Sequence, residues 1–191
     1  MPQKQKQKHN LKHNHVESDS DELIVFSIGH STTPIDQFID QLKRNEIEVL
    51  VDIRTIPGSR KNPQFGQDNL ATSLEHAEIE YLHMAGLGGR RRTNQDSLNI
   101  GWHNDSFRGY ADYMMTPQFH KALEELLQLA ASKRVAIMCA EAVPWRCHRF
   151  LVSDSLYLSG ATVKHIIGSQ TPHNHKLCAF AHPQGANILY A

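Results

Sequence analysis

Val135-Ala136-Ile137-Met138-Cys139-Ala140-Glu141-Ala142-Val143-Pro144-Trp145-Arg146-Cys147-His148-Arg149 is the stretch on which the fold turns. Val135 to Met138 is a short continuous apolar run, the pattern of a strand buried on both faces of a parallel sheet. Cys139, Ala140 and Glu141 leave that register, and Pro144 suits the first turn of a helix, where its missing N–H costs nothing. The segment therefore predicts a strand, a five-residue loop and a helix from Trp145 through Leu158, stopped by Gly160. Cys139, Glu141, Arg146, Cys147, His148 and Arg149 crowd around the helix start. Free N–H groups and the positive end of the dipole favour an anion there.

Outward from this stretch the same alternation repeats. Leu23 to Ile28 reads as a first strand, followed by Gly29-His30-Ser31 and a helix with Thr33 as N-cap and Ile35, Phe38, Ile39 and Leu42 on one face. Val49 to Ile53 reads as a second strand, with Asp52 near its end and Arg54 just past it. Leu70, Leu74 and Ala77 mark a second helix, and Ile79 to His83 a third strand. Residues 84–116 form an unusually long connection, rich in Gly, Arg and aromatics, with a helical turn expected at Tyr110 to Met115. Such a length predicts a lid or binding loop. Pro117 opens a helix with Phe119, Leu123, Leu126, Leu127 and Ala130 on one face, and Thr162 to Ile167 gives a fifth strand. Five strands alternating with four helices predict a three-layer α/β/α sandwich around a mostly parallel five-stranded sheet, Rossmann-like in architecture. The domain organisation expected is a disordered tail over 1–22, one α/β domain over 23–168, and a C-terminal extension over 169–191 that is packed on the domain or loose.

Composition narrows the function classes. Lysine plus arginine and aspartate plus glutamate each number 20, so no global polycation signal for nucleic acid exists. Three cysteines do not make a disulfide framework and point to a reducing cytoplasm. No apolar run is long enough for a membrane span, and the N-terminus has no signal-peptide core, so no membrane partner is expected. His9, His13 and His15 lie in the tail and read as solvated. The Gly-rich stretches match no dinucleotide fingerprint, and the sequence names no cofactor.

In an open parallel sheet, ligands bind beyond the carboxyl ends of the strands. Four of the five predicted strands end there in reactive groups: His30 and Ser31, Asp52 and Arg54, His83 with the Gly-Gly-Arg loop, then Cys139 and Glu141. With Arg60, Arg90, Arg108, Arg146 and Arg149 the rim is locally basic and suits an anion, with a phosphate-bearing one expected. The pattern resembles the domain of unknown function 488 family. The matching pieces are Ile28-Gly29-His30-Ser31, Val51-Asp52-Ile53-Arg54, Ser59-Arg60 with Asn62-Pro63-Gln64-Phe65, and Leu87-Gly88-Gly89. To these add Phe107 through Met114, Cys139-Ala140-Glu141 and Cys147-His148-Arg149. The resemblance covers about residues 24 to 167 and implies an α/β domain with a shared site, without an activity attached.

Asp52 and Glu141 are the acid/base candidates, or else structural partners of the arginines. Cys147 is either a thiolate favoured by the helix start and neighbouring cations or a small buried hydrophobe. Cys139 at a strand end invites comparison with cysteine loops closed by arginine, but six residues separate it from Arg146 where those loops carry five. His30, Ser31, Arg54, Arg60, Arg90, Arg108, Tyr110, Cys139, Arg146, His148 and Arg149 are the ligand-binding candidates. A metal set from Cys139, Cys147 and His148 with His30 or His83 lacks the short Cys-x-x-Cys spacing, so no metal is expected. The expected function is an enzyme, a hydrolase or transferase acting on a nucleotide, nucleic acid or other phosphorylated substrate. The alternatives are a non-catalytic nucleotide or nucleic-acid binding module, and a thiol- or metal-based redox or sensing protein.

Overall fold

The computed structural model describes residues 22–168 and 170–191. Residues 1–21 of the predicted tail, with His9, His13 and His15, lie outside the described residues. The chain runs β1 (Ile24–Gly29), α1 (Ile35–Arg44), β2 (Val49–Asp52), α2 (Gln67–Glu75), β3 (Glu80–His83), α3 (Asp105–Met114), α4 (Pro117–Ala130), β4 (Val135–Cys139), α5 (Arg149–Leu158) and β5 (Thr162–Ile166). Three short strands follow, β6 (His173–Asn174), β7 (Ala181–Gln184) and β8 (Asn187–Tyr190).

The central sheet has the order β3-β2-β4-β1-β5-β6, with β1 to β5 parallel and β6 antiparallel to β5. It is thus six-stranded and not five-stranded, and β7 pairs with β8 in a separate hairpin. The sixth strand is only two exposed polar residues long, so it leaves no hydrophobic run to read. Alternation divides the core. Phe26, Ile28, Leu50 and Met138 pack with Phe38 and Leu42 of α1 and Leu70 and Leu74 of α2. Val25, Val51, Ile137 and Val163 pack with Tyr110, Phe119, Leu126 and Leu151 from α3 to α5. The loop after β1 leads to α1 on one face, while the loop after its neighbour β4 leads to α5 on the other. Those two loops diverge, which opens a crevice at the carboxyl edge.

Three local expectations change. The helix expected from Trp145 begins only at Arg149: Pro144–Arg146 form one 3-10 turn, and Cys147 is extended at φ −144° and ψ 151°. The amides of Arg146 and Cys147 are spent on the carbonyls of Val143 and Pro144, so they are not free for an anion. The helical turn expected at Tyr110 is a full helix from Asp105, because Asn104 caps it by accepting from the amides of Ser106 and Phe107. Thr33 does not cap α1; Pro34 holds that position without a side-chain bond.

The C-terminal residues contribute to the core, with Ile188 and Tyr190 buried against it. A polar cluster fixes them. His175 Nε2 donates to Asp154 Oδ1 at 2.8 Å, the Tyr190 hydroxyl donates to Asp154 Oδ2 at 2.8 Å, and His165 meets His175 at 3.0 Å. Among the described residues no helix is long and apolar enough to cross a membrane.

Candidate functional site

The end of β2 supplies a rigid wall. Asp52 is fully buried and accepts from Arg54 through Nε at 2.9 and 3.0 Å, Nη2 at 2.6 Å and the backbone amide at 3.0 Å. The Tyr81 hydroxyl adds a fifth bond at 2.8 Å. Burial works against the Arg54 charge, but Asp52 more than offsets it and raises the guanidinium pKa. A carboxylate engaged this fully is a holder of Arg54, and Arg54 in turn lines the crevice. His30 completes the wall by stacking on Phe65 at 4.2 Å. Its Nδ1 donates to the Ser31 carbonyl at 2.9 Å, which leaves Nε2 to accept from Arg54 Nη1 at 3.4 Å. Burial lowers the His30 pKa, the Ser31 bond partly restores it and the Arg54 charge lowers it again, so the ring stays neutral.

The end of β4 supplies the floor. Cys139 Sγ and Cys147 Sγ are 2.6 Å apart, both buried, and both line the cavity. The loop between them folds back tightly over β1: a Cβ on Gly29 would stand 1.8 Å from the Glu141 carbonyl oxygen. Only glycine permits that approach. Arg149 lies beneath the loop at 1 % exposure. Its Nη2 donates to the carbonyls of Glu141 and Ala142 at 3.0 and 3.5 Å, while Nε has no partner. No carboxylate pairs with it among the described residues. A buried guanidinium facing only carbonyls favours negative charge nearby, and its charge draws the Cys139 thiol down. Burial alone would raise the Cys139 pKa, but the hydrogen bond from Cys147 and the Arg149 charge outweigh it and lower it. Cys147 is pushed well up, first by its bond to Cys139 and then by burial. The two sulfurs are thus driven apart, Cys139 being the one drawn toward the thiolate and Cys147 the one held as a thiol.

His148 touches the same pair. Its Nε2 donates to the Ile53 carbonyl at 2.9 Å, so Nδ1, 3.4 Å from Cys147 Sγ, carries the lone pair. Burial pushes its pKa down to about 4, the Ile53 bond opposes this and the Arg149 charge reinforces it. A Cβ on Gly89 would meet the His148 ring at 2.4 Å, so that glycine lets the loop after β3 close over the imidazole.

The cavity above these groups has a volume of about 650 Å³. Arg90, Arg92 and Arg146 line it, exposed and without a carboxylate partner among the described residues. The Glu141 side chain, also exposed, is the carboxylate that opposes them. Arg91 shapes the loop, donating to Gly88 and Ala85 carbonyls and lying 3.5 Å over the Tyr113 ring. The first turn of α3 closes one side through Ser106 and Phe107, so the long connection does form part of the cavity wall.

Of the residues singled out from sequence, Arg54, Arg90, Cys139, Glu141, Arg146, Cys147 and His148 line this cavity. Asp52, His30 and Arg149 stand behind it as supports, and Ser31 offers its carbonyl to His30. Arg60 is exposed and outside the lining. Arg108 turns to the Trp102 carbonyl and Asp105, and Tyr110 is fully buried with its hydroxyl on the Leu87 carbonyl. Sequence reasoning missed Tyr81 and the cavity role of Arg92. In the Arg90-Arg91-Arg92 run the outer two are exposed and the middle one half-buried. Extended backbone produces that alternation, but a run of three identical residues leaves no mark of it in the sequence. Among the described residues no group of three or more His, Cys, Asp or Glu is placed to hold a metal.

The model of one protein family, the domain of unknown function DUF488, matches residues 34–156 of the chain. No curated protein and no solved structure matches it.

Proposed function

The chain belongs to the family of the domain of unknown function DUF488, and on that premise we propose, from its own site, a cytoplasmic enzyme that uses the Cys139 thiolate on an anionic, phosphate-bearing substrate such as a nucleotide or nucleic-acid end. The observation that carries this reading is the pair of touching thiols at the floor of a cavity lined by three guanidiniums that have no carboxylate partner among the described residues. Arg90, Arg92 and Arg146 bind the anion, Arg149 holds the nucleophile charged, and Glu141 exchanges a proton with the leaving group. Arg54, locked by Asp52 and Tyr81, fixes the wall against which the substrate rests. The cavity volume lies within the roughly 300–1,000 Å³ typical of small-molecule sites.

Calorimetric titration with adenine nucleotides, pyrophosphate and a short oligonucleotide tests the binding half. Each charge-assisted hydrogen bond contributes about 1.5–3 kcal/mol, so Arg90→Gln, Arg92→Gln or Arg146→Gln is expected to weaken binding about ten- to a hundredfold. Absence of binding to every one of these ligands would contradict the reading. A phosphate affinity that all three substitutions leave untouched would do the same.

A further inference from the structure

Resting on that reading, we propose that the electrophile attacked at this site is sulfur: the Cys139–Cys147 dithiol reduces small disulfides whose flanking groups are anionic. The argument begins with the second sulfur. A cysteine acting alone as a nucleophile needs no thiol in contact with it, whereas a cysteine that forms a mixed disulfide needs one to resolve it. Here Cys147 Sγ touches Cys139 Sγ at 2.6 Å, so any adduct on Cys139 lies within reach of the resolving thiol without a large movement. The two sulfurs come from different elements, the end of β4 and the turn before α5. Gly29 allows the intervening loop to fold over β1, and Arg149 tethers that loop through the Glu141 and Ala142 carbonyls.

The groups around the pair supply the proton and charge steps. Cys139 starts as a thiolate beside the Arg149 guanidinium, which has no carboxylate of its own among the described residues. It attacks one sulfur of the substrate R–S–S–R′, forming Cys139–S–S–R and releasing R′S⁻. The Cys147 proton passes to R′S⁻, by way of the bare His148 Nδ1 at 3.4 Å. Cys147 then attacks Cys139 Sγ and expels RS⁻. The balance is dithiol, with one proton, plus R–S–S–R′ giving the Cys139–Cys147 disulfide plus R′SH and RS⁻. The substrate gains two electrons and the protein loses two. A dithiol reductant, oxidised in turn to its disulfide, returns the protein to the starting state.

The cavity selects the substrate. Its volume of about 650 Å³ suits a small molecule. Arg90, Arg92 and Arg146 set a positive field that Glu141 only partly cancels, so carboxylate- or phosphate-bearing disulfides are drawn in and cationic ones repelled.

The test exposes the reduced full-length protein to four disulfides: oxidised glutathione, oxidised coenzyme A, neutral hydroxyethyl disulfide and cationic cystamine. Thiol release is followed with intact mass and peptide mapping. The expected result is loss of ~2 Da, a Cys139–Cys147 cross-link and release of both substrate thiols. The two anionic substrates should react about tenfold or more faster than cystamine at low salt, a margin that shrinks as salt rises. Carboxylate and phosphate sources are separated by the glutathione and coenzyme A arms. Cys147→Ser should hold a stable mixed disulfide on Cys139, Cys139→Ser should release no thiol, and Cys178→Ser should behave as wild type. If a cysteine variant fails to fold, the wild-type cross-link and thiol yield stand as the test. No Cys139–Cys147 cross-link, or a cross-link without thiol release, overturns the inference whatever nucleotides do. Cross-linking without charge preference, together with no binding of phosphate ligands, overturns the anion reading and leaves the dithiol chemistry standing.

Discussion

Replacing Asp52 with Asn leaves the shape of the wall but removes the charge that holds Arg54. Asp52 is fully buried and Arg54 is 7 % exposed, and the carboxylate accepts four bonds from Arg54 and one from Tyr81. An Asn side chain offers one acceptor oxygen and an amide that would point donors at donors. Breaking a buried pair from one side costs about 3–5 kcal/mol, because the partner charge is left uncompensated. Domains of this size shift by roughly 2–4 °C per kcal/mol, so a melting temperature about 6–20 °C lower is expected. Removing both charges, as Asp52→Leu with Arg54→Met, should recover much of the loss, since the desolvation cost leaves with the charges. Thermal unfolding followed by circular dichroism, with urea midpoints as a second reading, measures both variants. A shift below about 2 °C for Asp52→Asn alongside loss of activity would refute this reasoning. It would make Asp52 a reacting group and not a support.

The other expectations follow from the same contacts. Gly29→Ala puts a Cβ 1.8 Å from the Glu141 carbonyl. It should destabilise by about 3 kcal/mol and displace the Cys139 loop, read as loss of both stability and Cys139 reactivity; wild-type behaviour in both would show that the loop is slack. Acid should weaken the fold: burial first, and the Arg149 charge, hold His148 at about 4, while burial and the His175 charge hold His165 at about 3. The unfolded imidazoles protonate near 6.5. Their stabilisation is therefore complete above that pH and is lost as pH falls towards the folded values, each adding a slope of up to about 1.4 kcal/mol per pH unit. Urea midpoints that stay flat between pH 6.5 and 4.5 would contradict the neutral burial of these rings.

The carboxyl-edge site was legible because it is a consequence of topology. Once Val49–Ile53 and Val135–Met138 read as buried parallel strands, Arg54, Cys139 and Glu141 had to gather on one rim. The roles of Asp52, His30 and Arg149 were not legible, since a residue at a strand end can face the cavity or support it, and only side-chain packing distinguishes the two. The helix start was misplaced for a local reason. Pro144 is as good at opening a 3-10 turn as an α-helix, and the extended backbone at Cys147 that separates the two leaves no mark on the sequence. That break brings Cys147 into contact with Cys139. Whether the C-terminal residues pack on the domain or stay loose was not legible, because the bonds among Asp154, His165 and His175 inside the fold are invisible until β5 and α5 are placed.

The central claim is a Cys139 thiolate beneath an anion-attracting cavity, and the most direct measurement compares alkylation by anionic iodoacetate with that by neutral iodoacetamide. Rates at each cysteine are followed by peptide mass mapping across pH 5–9, with and without phosphate. Cys178, whose thiol burial pushes up, is the internal reference. The account predicts that Cys139 reacts first and below the ordinary thiol range of about 8.5. It also predicts a preference for iodoacetate over iodoacetamide, relative to a free thiol, that phosphate or high salt removes. A Cys139 that titrates at or above the ordinary value, or that shows no iodoacetate preference at low salt, would contradict it.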